Sequence, residues 1–289
     1  MLELTDMQVI RALAKRHDFS FSKGLGQNFL IDPEVCPAIA EYGIPSPECG
    51  VLEIGTGFGV LTQQLALKSE QVVAVELDRR LKPVLAETLA DFSNIRIVWQ
   101  DIMKVSLRDF VQEQFGERDV AVCANLPYYI TSPILMHLLE SDVKLRSITV
   151  MVQKEAAERL CAEIGTRDAG AVTAAVRLRG EAEQLFSVPR NAFFPAPKVD
   201  SAVIRITAYE TPLCPPDQLS RVLRVVKAGF AQRRKTAVNA LSAGLSLPKE
   251  QVAAALAACG QTETVRFEQL DADTLLRLTE ALAGSARLY

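Results

Sequence analysis

The chain has 289 residues, 49% of them hydrophobic and 23% charged, and a formal net charge of −3 at pH 7. This composition is ordinary for a globular protein, and the length allows one large domain and one small domain. No apolar run is long enough to span a membrane, and the N-terminus lacks the apolar core of a signal peptide, so we expect a cytoplasmic location.

Few residues are available for metal binding or for histidine chemistry. The six cysteines are scattered without any C-x-x-C spacing, and the only histidines, His17 and His137, lie far apart in the sequence. Closely spaced cysteines and clustered histidines are the usual zinc ligands, and histidine is the most frequent general base. We therefore expect reduced thiols, no bound metal and a reaction that needs no histidine.

Short apolar runs alternate with helical stretches over much of the chain. The apolar runs predict strands at 51–54, 71–75, 95–99, 120–124 and 148–152. Helical spacing predicts helices at 4–16, 60–67, 79–89, 105–114 and 133–139. This alternation is typical of an α/β fold with a doubly wound, mainly parallel, Rossmann-like sheet. Two later runs, 183–188 and 201–207, predict a hairpin at the sheet edge with one antiparallel strand.

A proline-rich segment at 211–217 marks a predicted domain boundary, because three prolines so close together disfavour regular structure. Beyond it, helical spacing predicts helices at 218–230, 235–241, 249–257 and 272–283. We therefore predict an α/β domain over residues 1–210 and a small helical domain over residues 211–289.

Polar groups follow three successive predicted strands. A turn with three glycines lies at 55–59, Glu76 follows the second strand, and Asp101 lies just past the third. Glycines let the backbone turn tightly and approach a ligand, while carboxylates at these positions accept hydrogen bonds from a ribose diol or an adenine amino group. Val60 stands where the G-x-G-x-x-G pattern of dinucleotide sites needs its third glycine. The set therefore predicts a nucleoside pocket.

The tetrapeptide Asn125-Leu126-Pro127-Tyr128 follows the apolar run at 120–124. An amide side chain, a backbone carbonyl fixed by the following proline and an aromatic ring together suit a flat base that carries an exocyclic amino group. The two acceptors take the N–H groups, and the ring stacks on the base. A proline in such a turn often has no functional role, so the tetrapeptide needs support from the rest of the chain.

Two adjacent phenylalanines, Phe193 and Phe194, occupy a proline-rich loop. If Phe193 opposes Tyr128, an extruded base lies between the two rings, since bases stack favourably on aromatic side chains. The alternative is that both phenylalanines pack under the loop as ordinary core.

A basic segment runs from Arg221 to Lys235 and contains no acidic residue. Its cations are Arg221, Arg224, Lys227, Arg233, Arg234 and Lys235. A local patch of this kind predicts contacts with a polyanion such as RNA, even in a chain whose net charge is negative. The alternative is an ordinary solvated helix face.

Taken in order, these motifs resemble the family of small-subunit ribosomal RNA adenine N6,N6-dimethyltransferases. The matching segments are 26–30, 53–57, 75–78, 125–128, 153–155, 193–201 and 230–236. Thr56 departs from the family pattern, which commonly has proline there, and we expect this to alter only local stiffness. The segment 168–171 lacks a tyrosine that often precedes its glycine.

The resemblance implies a Rossmann-like, seven-strand S-adenosylmethionine methyltransferase domain followed by a helical RNA-binding domain. It implies cofactor contacts from Asn28, Leu30, Gly55, Glu76, Asp101 and Asn125. It also implies a substrate of two adjacent adenosines in a hairpin near the 3′ end of 16S rRNA, each methylated twice in an assembling small subunit. We expect the enzyme to act as a monomer.

The catalytic prediction centres on the tetrapeptide at 125–128. The Asn125 side-chain oxygen and the Leu126 carbonyl accept hydrogen bonds from the two N6–H groups, and Pro127 fixes the turn. Tyr128 and Phe193 stack on the two faces of the base. Two alternatives remain at this point: a large-subunit rRNA adenine methyltransferase of the antibiotic-resistance type, and a mainly non-catalytic factor that checks subunit assembly. A nicotinamide dehydrogenase is disfavoured by the glycine spacing.

Overall fold

A computed structural model of the chain describes residues 2–20 and 28–283. The chain forms two compact units: the sheet unit, Met1–Ala157 with Glu183–Ala208, and the helical unit, Glu158–Ala182 with Tyr209–Tyr289. The chain crosses between the units three times, and the last crossing, between Ala208 and Tyr209, lies within two residues of the predicted boundary at 210/211. The segment 158–182, which the sequence pattern grouped with the α/β domain, clusters instead with the C-terminal helices.

The described residues form nine strands and twelve α-helices in a mixed α/β order. The strands are β1 (Phe29–Leu30), β2 (Gly50–Ile54), β3 (Val72–Glu76), β4 (Ile95–Trp99), β5 (Val120–Asn125), β6 (Leu145–Gln153), β7 (Gly180–Val188), β8 (Phe193–Phe194) and β9 (Ser201–Ala208). The helices are α1 (Met7–Arg16), α2 (Val35–Gly43), α3 (Val60–Lys68), α4 (Lys82–Thr88), α5 (Leu107–Phe115), α6 (Thr131–Glu140), α7 (Lys154–Cys161), α8 (Ala171–Arg179), α9 (Pro216–Phe230), α10 (Ala237–Leu245), α11 (Lys249–Ala258) and α12 (Ala272–Leu282).

Seven strands form one sheet in the order β4-β3-β2-β5-β6-β9-β7. The first five are parallel, and β9 runs antiparallel to β6. The predicted fold class is confirmed, and the two late strands do lie beside each other at one edge. Because the chain leaves β2 towards β3 but returns on the other side as β5, a crevice opens between the carboxyl ends of β2 and β5.

The central strands are apolar because helices cover both faces of a parallel sheet. Every residue of β2 and β3 is buried. The side chains of α1 and α4 pack with Phe58 of the glycine turn in one apolar cluster that includes Ile10, Leu13 and Leu85. This cluster fixes the turn that follows β2.

A second, two-stranded sheet pairs β1 with β8 antiparallel, with Phe29 opposite Phe194 and Leu30 opposite Phe193. The Ile31 N–H extends the pairing by donating to the Ala192 carbonyl at 2.8 Å. This short pairing brings Asn28 to the edge of the crevice. Residues 21–27, which include the first two positions of the matching segment 26–30, lie outside the described residues.

In the helical unit, α9 packs on α10 and α12 through its apolar face, which includes Val222 and Val226. Gly229 is required near the end of α9, since a Cβ atom there would lie 2.2 Å from the Phe267 ring. Within residues 2–20 and 28–283, no helix is long and apolar enough to cross a membrane.

Candidate active site

One pocket lies at the carboxyl ends of β2, β3, β4 and β5. It brings together all the residues predicted to contact the cofactor: Asn28, Leu30, Gly55, Glu76, Asp101 and Asn125. Three further residues of the predicted catalytic set, Leu126, Pro127 and Tyr128, line the same pocket. In the sequence these residues are spread from position 28 to position 128. They meet around one cavity because the carboxyl ends of β2, β3, β4 and β5 lie side by side at the same edge of the sheet.

The glycine turn after β2 leaves open space for a ligand. Gly55 has φ +78°, a left-handed conformation that favours glycine, and a Cβ atom there would meet nothing within 4 Å. Its N–H donates to the Val75 carbonyl at 2.9 Å, which ties the turn to β3. The backbone therefore approaches the pocket closely without a side chain in the way.

Glu76, buried at the end of β3, holds this turn in place. One carboxylate oxygen accepts from both the N–H and the hydroxyl of Thr56 at 2.9 Å, and the other accepts from the Asp78 N–H at 2.7 Å. Proline at position 56 would supply neither of the first two bonds. We expected Thr56 to alter only the local stiffness of the turn, and this expectation was incomplete. Thr56 also orients the Glu76 carboxylate that faces the pocket.

Asp101 lies at the pocket wall directly after β4. One carboxylate oxygen accepts from the Met103 N–H at 3.0 Å and so caps the 3₁₀ turn Ile102–Lys104. The side chain is half-buried, and its second oxygen is available for an amino group. Beside it in the pocket lie apolar Ile102 and Leu77, and Leu77 is exposed. This wall offers one acceptor and two apolar surfaces to a flat heterocycle.

The two acceptors predicted to hold an amino group are unused by the protein. Within the described residues, neither the Asn125 side chain nor the Leu126 carbonyl has a hydrogen-bond partner. Both residues are firmly placed, since Asn125 pairs with Met151 on β6 and the Leu126 N–H donates to the Met151 carbonyl at 3.2 Å. Two unpaired acceptors on a fixed backbone in a pocket suit a ligand with two N–H groups.

Tyr128 is held in one orientation by a side-chain contact. Its hydroxyl lies 2.6 Å from that of Ser201, the buried first residue of β9. Burial raises the pKa of Tyr128, and the hydrogen bond to Ser201 lowers it in part, so the phenol stays neutral. Pro127 starts the following 3₁₀ turn, and its carbonyl accepts from the Ile130 N–H at 3.1 Å. The Tyr128 ring is thus a fixed wall of the pocket.

A buried acid, Glu53, lies on β2 two residues before Gly55. It is 0% exposed, and neither carboxyl oxygen meets hydrogen-bond geometry within the described residues. Burial raises the pKa of Glu53 to about 8, the nearby Thr62 hydroxyl lowers it in part, and the charge of Glu76 raises it. Glu53 is therefore protonated at neutral pH and leaves the site with the charges of Glu76 and Asp101.

The thiol that lines the pocket, Cys36, is not a nucleophile at neutral pH. Burial raises its pKa far above the ordinary range, and the charges of Glu53 and Asp32 act in the same direction. Only a thiolate attacks efficiently, so this cysteine packs as a small apolar residue.

The structure corrects the placement of Phe193. The predicted position of its ring was opposite Tyr128, but Phe193 is 3% exposed, belongs to the core around Leu30 and does not line the pocket. The pairing of β8 with β1 is the reason, because it turns Phe193 inward. Phe194 is only partly buried, and the Arg11 guanidinium lies 5.6 Å from the centroid of its ring.

The six cations of the predicted basic segment, residues 221–235, differ in their environments. Arg224, Lys227, Arg234 and Lys235 are exposed, and Arg221 is half-buried on α9. Arg233 is occupied within the unit: its guanidinium donates to the carbonyls of Arg167 at 2.5 Å and Ala169 at 3.0 Å and pairs with Glu268 at 3.3 Å. Its first role is to hold the turn after α9.

The sequence did not indicate the parts played by Leu77 and Tyr129, which line the pocket, or by Ser201 and Glu53, which lie next to residues that do. Tyr129 directly follows the tetrapeptide and Leu77 directly follows Glu76, so their positions in the sequence were a signal for both. The contact of Ser201 with Tyr128 crosses 73 positions of sequence, and no local signal indicates it.

Known proteins match this chain over nearly its full length. The family model described as Ribosomal RNA adenine dimethylase matches residues 18–283. The Ribosomal RNA small subunit methyltransferase A of Geobacillus kaustophilus is 44% identical over 277 residues, 94% of each chain. The protein of the same name from Alkaliphilus metalliredigens is 42% identical and covers 95% of this chain and 96% of its own.

Two solved structures are also similar. The 23S rRNA methyltransferase ErmE has a TM-score of 0.64 at 30% identity and covers 89% of this chain and 100% of its own. A dimethyladenosine transferase from Plasmodium falciparum has a TM-score of 0.68 at 24% identity over 86% of this chain and 95% of its own, which supports the fold alone. With these matches and the pocket described above, the chain belongs to the ribosomal RNA adenine dimethylase family.

Proposed function

We propose that this protein transfers methyl groups from S-adenosylmethionine to N6 of two adjacent adenosines in a hairpin near the 3′ end of small-subunit rRNA. One observation carries the proposal: the unpaired Asn125 side chain and Leu126 carbonyl stand beside the fixed Tyr128 ring in the pocket. An adenine amino group has two N–H donors on a flat ring, which matches these three features.

Similarity to named relatives favours the small subunit over the large one. The relatives named for the small-subunit enzyme are more similar to this chain in sequence than the 23S rRNA methyltransferase ErmE is. The fold is common to both kinds of enzyme, so the sheet and the pocket alone do not choose between them.

The residues of the pocket fit S-adenosylmethionine. Glu76 offers a carboxylate to the ribose diol, Asp101 offers an acceptor to the adenine amino group, and Gly55 leaves room for close approach of the cofactor. The exposed side chain of Leu77 gives the adenine ring an apolar surface. When bound, the cofactor supplies a methyl group on a positively charged sulfur, which is reactive enough to need neither a metal nor a covalent intermediate.

The chain's contribution to the chemistry is to prepare the nucleophile. The N6 lone pair of adenine is delocalised into the ring, so the nitrogen is a poor nucleophile in its planar form. When the two N6–H groups donate hydrogen bonds to the Asn125 side-chain oxygen and the Leu126 carbonyl, the nitrogen is drawn towards a tetrahedral geometry. Its lone pair then points outward from the ring plane. The Leu126 carbonyl and the backbone that carries the Asn125 side chain are fixed before substrate binds, so little reorganisation is needed. The proton leaves to water afterwards, and no general base is required.

In a second methylation, the same two acceptors face an adenine N6 that has one N–H group instead of two. After the first transfer N6 keeps a single N–H, so one of the two acceptors loses its partner and the added methyl needs space. Asn125 is the adaptable member of the pair, since an amide side chain rotates while the Leu126 carbonyl is tied to β6 through its own N–H. We infer that the Leu126 carbonyl keeps the remaining proton.

The exposed cations of the helical unit are proposed to bind RNA phosphates. Arg224 and Lys227 lie three residues apart on α9, and Arg234 and Lys235 lie in the turn that follows it. Contacts with phosphates position an RNA without reading its sequence, and they weaken as salt rises. The assembling small subunit as partner, a monomeric state and a cytoplasmic location remain predictions from the sequence.

A labelled-cofactor assay on isolated subunits tests the function. Small and large ribosomal subunits from cells without the corresponding modification are incubated with the protein and methyl-labelled S-adenosylmethionine. We expect label in N6,N6-dimethyladenosine of the small subunit alone. Label in the large subunit instead would identify the enzyme as the antibiotic-resistance type, and label in neither would favour an assembly factor without catalysis.

A further inference from the structure

Two adjacent tyrosines at the pocket have opposite environments. Tyr128 is half-buried, and its hydroxyl is held by Ser201. Tyr129 is 61% exposed, and within the described residues no hydrogen bond or ring contact involves its side chain. Both residues line the same pocket. Tyr128 is therefore a wall of the cavity, whereas Tyr129 presents a largely solvent-exposed ring at its mouth.

The backbone beneath Tyr129 is rigid although its side chain is exposed. Tyr129 is the middle residue of the 3₁₀ turn Tyr128–Ile130, which the Pro127 carbonyl closes by accepting from the Ile130 N–H at 3.1 Å. The same carbonyl accepts from the buried Thr131 hydroxyl at 3.2 Å, at the start of α6. An aromatic ring on a fixed support loses little conformational freedom when a flat ligand stacks on it.

Extrusion of one base into the pocket leaves its neighbour in the RNA without a stacking partner. That loss is part of the cost of bringing a base to the catalytic groups. An aromatic ring at the mouth of the pocket compensates for it, because one base stacked on an aromatic side chain strengthens binding about 5- to 160-fold. The ring has to be exposed, close to the acceptors and held from below, and Tyr129 meets all three conditions.

We propose that Tyr129 forms a second base-binding subsite, which stacks on the nucleotide adjacent to the adenosine held by Asn125 and Leu126. The inference rests on the proposed function and adds a place for the neighbouring base. Since Tyr129 lies on one side of the tetrapeptide, the subsite serves either the 5′ or the 3′ neighbour of the target.

The test uses small subunits reconstituted with rRNA whose 3′ segment is synthetic, so that either nucleotide flanking a target adenosine can be made abasic. Methyl transfer is measured for wild type, Tyr129→Ala and Tyr129→Phe. On intact RNA we expect Tyr129→Ala to lower kcat/KM about 5- to 160-fold, with Tyr129→Phe close to wild type. With one of the two flanking bases removed, Tyr129→Ala should have no further effect, because its stacking partner is already absent.

The control is Tyr42→Ala, which removes a 49%-exposed ring on α2 that does not line the pocket. This variant should keep full activity. Binding of S-adenosylhomocysteine is measured in parallel, since an equal loss of cofactor affinity in Tyr129→Ala would assign Tyr129 to the cofactor and overturn the inference. The inference would also be overturned if Tyr129→Ala lowered kcat/KM by the same factor on intact RNA and on RNA that lacks either flanking base.

Failure of the inference and failure of the proposed function give different results. If wild-type protein methylates the intact subunit but Tyr129→Ala does so equally well, the second subsite is wrong and the function stands. If wild-type protein leaves the intact subunit unmethylated, the proposed function itself is wrong.

Discussion

The hydroxyl of Tyr128 lies 2.6 Å from the hydroxyl of Ser201, across the boundary between the catalytic turn and β9. Tyr128 extends from a turn at the end of a parallel strand, and Ser201 begins the antiparallel strand that pairs with β6. The contact therefore links the pocket wall to the far half of the sheet and sets the angle of the ring against which the base is to stack.

If this bond positions the ring, Tyr128→Phe and Ser201→Ala should have the same modest effect and should not add. A single hydrogen bond contributes about 0.5 to 1.5 kcal/mol, so each variant should lower kcat/KM for the RNA about 2- to 12-fold, and so should the double variant. Ser201→Thr keeps the hydroxyl and should restore most of the activity. Independent, multiplying losses would show that the two hydroxyls do not act together.

Asn125→Ala should separate chemistry from binding. Loss of one fixed acceptor at the reacting nitrogen should reduce kcat on the order of 100- to 1000-fold. The affinity for S-adenosylhomocysteine, measured by calorimetry, should change little, because Glu76 and Asp101 remain in place. A parallel loss of both quantities would contradict this division and make Asn125 chiefly a cofactor ligand.

Glu76→Gln should weaken cofactor binding and disturb the glycine turn. The carboxylate accepts from Thr56 twice and from the Asp78 N–H, and an amide NH₂ in its place would face one of these donors. Hydrogen bonds to charged groups are the stronger kind, so we expect affinity for S-adenosylhomocysteine to fall on the order of 10- to 100-fold. Thr56→Val keeps the N–H bond and should cost less than about tenfold.

Calorimetric titration of both variants measures this difference. Unchanged affinity in Glu76→Gln would remove Glu76 from the cofactor site. A loss in Thr56→Val as large as that in Glu76→Gln would mean that the turn, and not the carboxylate, sets the affinity.

Glu53 should make the stability of the protein fall as pH rises. Burial raises its pKa from 4.5 to about 8, so the folded protein keeps a proton that the unfolded chain releases between these values. The stabilising contribution is complete below about pH 4.5 and is lost as pH rises towards 8. Relative to Glu53→Gln, the free energy of unfolding of wild type should fall roughly 1.4 kcal/mol per pH unit in this window.

Urea denaturation at pH 5, 6, 7 and 8 gives this comparison, with Glu117→Gln as the control for an exposed glutamate. The control should follow the wild-type profile. Parallel profiles for wild type and Glu53→Gln would show that Glu53 is ionised in the folded protein.

Arg233 and its two neighbours should differ in function. Arg233→Ala removes contacts with two carbonyls and Glu268, so it should lower the stability of the helical unit. Arg234→Ala and Lys235→Ala should leave stability unchanged and weaken subunit binding. Each lost phosphate contact should reduce the slope of log K against log salt by about 0.7 to 0.9. An unchanged salt slope would make these two residues ordinary surface cations.

The sheet was predictable because its signal is local. A buried parallel strand is a continuous apolar run, and β4 was predicted with its observed bounds, Ile95–Trp99. Helix α2 was not predicted, since it is apolar over much of its length, contains Pro37 and has no side-chain cap. Strands β1 and β8 are two residues long, so no periodicity exists to indicate them.

The acids and the acceptors of the pocket were predictable for the same reason, because each follows a recognisable strand. The position of Phe193 was not, since its burial depends on pairing with Leu30, more than 160 positions earlier in the chain. The double hydrogen bond from Thr56 to Glu76 was missed because it depends on the relative placement of two strand ends. The sequence therefore indicated which side chains line the pocket, but it did not indicate the hydrogen bonds that orient them.

Primer extension on small-subunit rRNA tests the central claim most directly. RNA is taken from cells that lack the protein and from the same cells supplied with wild type or Asn125→Ala. Dimethyladenosine blocks the polymerase, so the account predicts a stop at two adjacent adenosines near the 3′ end with wild type, and no stop without the protein or with Asn125→Ala. A stop that persists in cells lacking the protein, or that Asn125→Ala restores in full, would contradict it.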